Sequence, residues 1–152
     1  MLAAMENSAV AYFANGHVII APVVRTTTGL GLEIEPRSLG ASPDINATGA
    51  ALAAALASSK RIISHPSQDE WKGFFAPFQS AAGVRSYKAF MKEAKRVSVR
   101  VIDDHLKLTP QRNLGSKEGF EPIPDEAVVL SLDDMSAAGA NLLGLLGIHP
   151  KP

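Results

Sequence analysis

The chain has 152 residues, no cysteine, and 15 basic against 15 acidic side chains, so its formal net charge is zero. Its length and its 46% hydrophobic content suit one domain with one core, which we predict to span residues 1–152. The lack of cysteine excludes disulfides and thiol chemistry and indicates a reducing cytoplasm, while the neutral charge argues against a general nucleic-acid or membrane-surface binder.

The first stretch, residues 1–14, has no basic residue ahead of its apolar part. No apolar run in the chain approaches the ~20 residues that a membrane span requires. We therefore expect neither a signal peptide nor a membrane anchor.

Two apolar runs within residues 10–24 are split by Asn15 and Gly16, the dipeptide that best adopts a two-residue type I′ turn. The predicted hairpin places Phe13 opposite Val18. Because both faces of these strands are apolar, we expect interior strands that are covered on each side.

Residues 30–35 alternate apolar and other side chains, which predicts a half-buried strand that Pro36 ends. An alanine-rich helix should then run from Asp44, its N-cap, to about residue 59. Its buried stripe is predicted to hold Ile45, Leu52 and Leu56.

Ser67 and Glu70 have the spacing of a capping box, and aromatic residues follow at helical spacing: Trp71, Phe74, Phe75 and Phe78. This pattern predicts one helix with Trp71 in the core and favours a core stripe over a base-stacking platform. Gly83 should end that helix, and Ser86 should cap a short helix after it.

Residues 96–109 predict a second hairpin that turns at Asp103 and Asp104. With a two-residue loop, Val99 lies opposite Leu108 on an apolar face. Asp-Asp is a poorer type I′ turn than Asp-Gly, so a longer loop with another register stays open.

Short strands are predicted within residues 119–123 and 127–132, and Asp133 or Asp134 should cap a last helix that ends at Gly147. The buried stripe of this helix is predicted to hold Met135, Leu142 and Leu146. The order of strands, helices, strands and helix indicates an α+β fold: an antiparallel β-sheet built from hairpins with helices packed on it.

Residue types that carry chemistry do not assemble in this sequence. The glycines near residue 30 lack the third glycine of a nucleotide-binding loop, and the four histidines are too widely spaced for a helical metal site. Asp103, Asp104 and His105 suit an exposed turn better than a catalytic dyad. We therefore expect a binding protein with no catalytic residues, no metal and no cofactor.

A set of motifs is spread over residues 9–132: Glu70-Trp71-Lys72, Ala81-Ala82-Gly83-Val84, Ser86, Phe90, residues 95–99, residues 109–113 and Phe120. Their order resembles that in the immunity proteins of bacterial contact-dependent growth inhibition systems, in particular the group that protects against DNase toxin domains. The resemblance implies a cytoplasmic protein that binds a cognate toxin C-terminal domain and blocks it. Some members of this group are similar in fold to the Whirly single-stranded nucleic-acid binders and receive a toxin β-hairpin by strand addition.

Partner contacts are expected on the second hairpin, where Arg100 faces Lys107, with Arg96 on the same face and Asp103 and Asp104 beside them. Like charges across a strand pair are destabilising, so this face needs an acidic neighbour. A partner can supply it, or the chain's own acidic residues can.

An alternative function is single-stranded nucleic-acid binding, because residues 60–112 hold most of the basic side chains. We regard nucleic acid as the less favoured partner. The sequence gives no oligomeric state.

Overall fold

The computed structural model describes residues 7–149, so the first six residues of the stretch 1–14 lie outside it. The described part contains nine strands and five α-helices. The strands are β1 Ser8–Ala14, β2 His17–Thr26, β3 Gly31–Glu33, β4 Arg37–Ser38, β5 Ile62–Ile63, β6 Lys95–Ile102, β7 His105–Asn113, β8 Phe120–Pro122 and β9 Val128–Ser131. The helices are α1 Ile45–Ser58, α2 Gln68–Lys72, α3 Ala76–Ala82, α4 Tyr87–Met91 and α5 Met135–Leu145.

The strands form one curled sheet in the order β3-β2-β1-β6-β7-β8. The short strands β4 and β5 also pair with β2, and β9 pairs with β7. Pairing between the described strands is antiparallel except for β5, which runs parallel to β2. The predicted α+β fold with an antiparallel sheet is confirmed, and the single domain stays a prediction that one cooperative unfolding transition would support.

Both long hairpins adopt the predicted register. Phe13 pairs with Val18 across β1 and β2, and Asn15 has a φ angle of 48°, in the left-handed region that a type I′ turn requires. In the second hairpin Arg100 pairs with Lys107, and Asp103 has a φ angle of 54°. The two-residue Asp-Asp loop therefore forms, and the longer loop is excluded.

The sheet is covered on both faces around β1 and β2. One core lies between the sheet and helices α1 and α5, and it includes Ala11, Val18, Ile20, Leu52, Val99, Leu106 and Leu142. The other core lies under α3 and α4 and includes Val10, Tyr12, Ile19, Phe78 and Phe90. The predicted two-sided burial of the first hairpin is confirmed.

The other strand and helix predictions hold with shorter boundaries. The strand predicted at residues 30–35 is limited to β3, and Leu30 is 44% exposed. Asp44 caps α1 by accepting from the Ala47 N–H, and Asp134 caps α5 by accepting from the Ala137 N–H.

The single aromatic helix predicted after Ser67 is wrong, although its capping box forms. The segment breaks at Gly73 into α2 and α3. Pro77 explains the break, because it has no N–H to donate to the Gly73 carbonyl and its ring would clash with that oxygen. Trp71 consequently leaves the register of Phe78, and it is 39% exposed instead of lying in the core.

Helices α1 and α5 cross at a contact between two glycines. A Cβ on Gly139 would come within 2.5 Å of the Ile45 carbonyl oxygen, and one on Gly49 would come equally close to the Met135 carbonyl oxygen. Glycine at both positions therefore lets the two backbones touch.

We expect Gly139→Ala to destabilise the protein by about 1–3 kcal/mol, although alanine favours a helix, because the new methyl group has no space. Gly144→Ala in the same helix is the matched control, since its methyl group would meet no described atom within 4 Å beyond its own helix backbone and chain neighbours. The control should be neutral or stabilising by up to about 1 kcal/mol in chemical unfolding. Equal effects of the two substitutions would contradict the tight crossing.

Phe78 and Trp71 in the aromatic segment differ in burial and should therefore differ in their contribution to stability. Phe78 is 1% exposed, so Phe78→Ala should cost about 3–5 kcal/mol of unfolding free energy. Trp71→Ala should cost much less, about 1 kcal/mol, because much of the ring already faces solvent. The same unfolding measurement checks both, and a larger loss at Trp71 would show that it belongs to the core.

Candidate functional site

Four of the five predicted contact residues lie near the turn of the second hairpin, but the set does not form one exposed strip. Asp103, Asp104 and Arg100 are exposed and Lys107 is half-buried. Arg96 is different, because its side chain is only 18% exposed and pairs with Glu33. The acidic neighbour that this face needs therefore comes, at Arg96, from strand β3 of the chain itself.

Arg96 is the centre of a polar network that joins four strands. Its Nε donates to the Tyr12 hydroxyl oxygen at 3.1 Å, and its second terminal nitrogen donates to Glu33 Oε2 at 3.0 Å. Its other terminal nitrogen donates to Gln111 Oε1, and the Tyr12 hydroxyl donates to Glu33 Oε1. The side chains come from β1, β3, β6 and β7, so the network holds the sheet together across its width.

The environment of the network changes the ionisation of its members. Burial raises the pKa of Tyr12 well above its ordinary value, and the neighbouring Glu33 carboxylate acts in the same direction. Burial by itself would lower the pKa of Arg96, but Glu33 and Tyr12 outweigh it and raise that pKa. Arg96 is thus a permanent cation and Tyr12 a neutral phenol at physiological pH.

Aromatic rings surround the guanidinium of Arg96. Its central carbon lies 5.6 Å from the Tyr12 ring centroid and 5.8 Å from that of Phe120. Phe78 and Phe90 meet the Tyr12 ring edge to face. The cation is therefore held by π faces as well as by hydrogen bonds.

A cavity of about 390 Å³ opens beside this network, between it and helix α4. Among the described residues, no buried side-chain nitrogen or oxygen lacks a hydrogen-bond partner. The network is thus internally satisfied, which suits a structural support better than a catalytic centre that must offer reactive groups to a substrate.

Within residues 7–149, no three His, Asp or Glu side chains group closely enough to hold a metal ion. No helix in the same range is long and apolar enough to cross a membrane.

Sequence reasoning missed three members of the network: Tyr12, Glu33 and Gln111. Glu33 stood out only as the polar partner in an alternating strand, a pattern that normally means solvent exposure. The need for an acid near Arg96 was visible in the sequence. Its source was not, because β3 and β6 are far apart along the chain and come together only through the folded sheet.

We expect Tyr12→Phe to cost about 1–3 kcal/mol at pH 7, since it removes hydrogen-bond partners of Arg96 and Glu33. The cost should shrink at alkaline pH. The pKa of Tyr12 is raised in the folded state, so its contribution is complete below the unfolded value of about 10 and declines above it by up to about 1.4 kcal/mol per pH unit. Chemical unfolding from pH 7 to 11 checks this, with Tyr87→Phe as the control, and a difference independent of pH would contradict it.

Comparison with solved structures places the fold among known ones. The chain is similar to a protein of unknown function from Neisseria meningitidis, with a TM-score of 0.77, 20% identity and 97% coverage of each chain. It is also similar to a chain of a CdiA-CT/CdiI toxin and immunity complex from Yersinia pseudotuberculosis, with a TM-score of 0.74 and 13% identity over 94% of this chain and 97% of that one. At such identities the likeness shows a shared fold.

Comparison of sequences gives the family. No curated protein matches the chain. The family model described as CDI immunity protein matches residues 32–143, which is most of the chain and runs from β3 into α5. The resemblance to immunity proteins noted in the sequence is therefore confirmed: this chain belongs to the CDI immunity protein family.

Proposed function

We propose that this chain binds the C-terminal toxin domain of a contact-dependent growth inhibition system in the cytoplasm of the producing cell and neutralises it. The observation that carries the proposal is the family match over residues 32–143. The structurally similar Yersinia pseudotuberculosis chain comes from a toxin and immunity complex, which supports the same role. Neutralisation then occurs by stoichiometric binding and without turnover.

The features of the described residues are compatible with a binding role. The main buried polar cluster is internally paired, and no metal-ligand group accompanies it in this part of the chain. Nucleophilic catalysis would require a nucleophile with a base and an orienting group beside it. The proposed inhibitor needs only a complementary surface.

The finer part of the proposal is that the toxin is a nuclease. It rests on the sequence motifs shared with immunity proteins that protect against DNase domains. Single-stranded nucleic-acid binding by the chain itself is less favoured, since Phe78 and Phe90 are buried and pack against Phe75 at centroid distances of 4.9 and 4.8 Å. These two buried rings are not available for base stacking.

For the contact surface we propose the end of the second hairpin, with Arg100 and Lys107 beside Asp103 and Asp104. Charged groups at such a rim steer association and select partners. Arg96, which belonged to the predicted strip, does not contact the toxin in this proposal. It holds β6 in place through its ion pair with Glu33.

The function is tested by producing the chain together with the toxin domain encoded beside its gene. Co-expression should restore growth of the host, and the purified proteins should form a one-to-one complex that abolishes DNA cleavage in a plasmid assay. Growth arrest despite abundant folded protein would overturn the proposed function. Rescue without any nuclease activity of the free toxin would overturn only its nuclease part.

For the contact surface, Arg100→Glu combined with Lys107→Glu should raise the Kd for the toxin domain at least about tenfold, which is about 1.4 kcal/mol. The reason is reversal of the charge that meets acidic groups of the toxin. Lys88→Glu with Lys92→Glu on and beside α4 makes the same change in net charge elsewhere and should leave the Kd unchanged. Calorimetry with a parallel melting curve checks both, and unchanged affinity of the first variant would mean that the toxin binds elsewhere.

A further inference from the structure

A groove between strand β3 and the broken aromatic segment adjoins the network around Arg96 and shares Glu33 with it. It encloses about 460 Å³, within the range of about 300–1,000 Å³ that is usual for ligand clefts. One wall is the end of β3 and the residues after it, and the other is formed by α2 and α3. Gly73, where the aromatic segment breaks, lines the groove between the two helices.

The rim of this groove is acidic. Four carboxylates line it, from Glu33, Glu35, Asp69 and Glu70, and no described lining residue is basic. Two of them are balanced by arginines outside the groove, Glu33 by Arg96 and Glu35 by Arg61. A negative excess therefore remains on the wall that carries Asp69 and Glu70.

The charge of that wall persists at neutral pH. Glu70 accepts a hydrogen bond from the Ser67 backbone N–H at 3.0 Å, which lowers its pKa below the ordinary value. Both carboxylates are exposed and sit in the first turn of α2. Glu70 is thus ionised, and both carboxylates are accessible from the groove's open side.

The floor of the groove is apolar. Phe74, Pro77 and Phe78 supply it, and the Phe74 ring stacks obliquely on Trp71 at a centroid distance of 5.3 Å. A long basic side chain matches this combination, because its aliphatic stem covers apolar surface while its head reaches carboxylates. An arginine guanidinium can also stack on the phenyl face and bind a carboxylate with two parallel hydrogen bonds.

Other occupants match less well. A metal ion needs several carboxylates converging on one point, and the described residues contain no such cluster. An acidic or nucleic-acid ligand would be repelled by the rim. A purely structural role for Asp69 and Glu70 in the helix start is real, but it leaves the groove itself unexplained.

We infer that this acidic groove receives an arginine- or lysine-bearing segment of the toxin domain. The inference rests on the proposed function and deepens it. It names a second contact, of negative charge, in addition to Arg100 and Lys107 at the hairpin end. A nuclease holds its substrate phosphates with basic side chains. Docking of such a side chain between Asp69 and the Phe74 ring removes it from the nucleic acid and so explains inhibition.

The test removes charge from the groove with minimal change of shape. Asp69→Asn combined with Glu70→Gln keeps the side-chain sizes, and glutamine can still complete the capping box. The matched control is Asp125→Asn with Glu126→Gln, which removes two acids from the short 3-10 helix Pro124–Glu126. Affinity for the toxin domain encoded beside the gene is measured by calorimetry at two salt concentrations, together with thermal unfolding.

The groove variant should bind at least about tenfold more weakly than wild type and with a flatter salt dependence. The control should bind within about twofold of wild type. The Asp69→Arg variant should then no longer bind the toxin domain. Replacing the docked arginine or lysine of the toxin with glutamate should restore binding to that variant, which identifies the docked residue.

Wild-type affinity in the groove variant, with wild-type protein still binding the toxin, would overturn the groove alone. An equal loss of affinity in the control variant would also overturn the groove, because the loss would then follow from the change in net charge alone. If wild-type protein fails to bind the toxin, the proposed function fails and the groove falls with it.

Discussion

The buried guanidinium of Arg96 is the constraint on which the arrangement of the sheet depends. A cation taken out of water is costly unless it is paired, and removing its partner leaves an uncompensated charge. Glu33 supplies the counter-charge, while Tyr12 and Gln111 occupy further donors. Any other register of β3 or β6 would separate these groups. The network therefore specifies one register of the strands more strictly than hydrophobic contacts alone would.

The helices follow from the same sheet. The first hairpin is apolar on both faces, so it requires a layer on each side: α1 and α5 on one, α3 and α4 on the other. Within the first layer, α1 and α5 lie close together because Gly49 and Gly139 allow backbone contact. On the side of the second layer, Glu33 lines two cavities, one beside α2 and α3 and one beside α4.

This arrangement of a packed core and charged surface groups fits a protein that works by recognition. Most of the fold is ordinary hydrophobic packing, and charged groups at the surface can vary without disturbing that packing. Arg100 and Lys107 carry positive charge on the second hairpin, and Asp69 and Glu70 carry negative charge on α2. Such a pattern favours a partner that carries both signs in the matching arrangement, and it disfavours others.

Much of the local structure, the fold class and the family could be predicted from the order of the residues. Asn15-Gly16, the capping box at Ser67 and the period-two strands act through neighbouring residues, so their signals are local ones. Which acid meets Arg96, and where Trp71 lies, emerged only in the folded chain. The first needs strands far apart in sequence, and the second depended on Pro77 breaking a helix whose aromatic spacing predicted continuity. The acidic groove lies between β3 and the segment broken at Gly73, which are far apart in the sequence, so no local pattern predicts it.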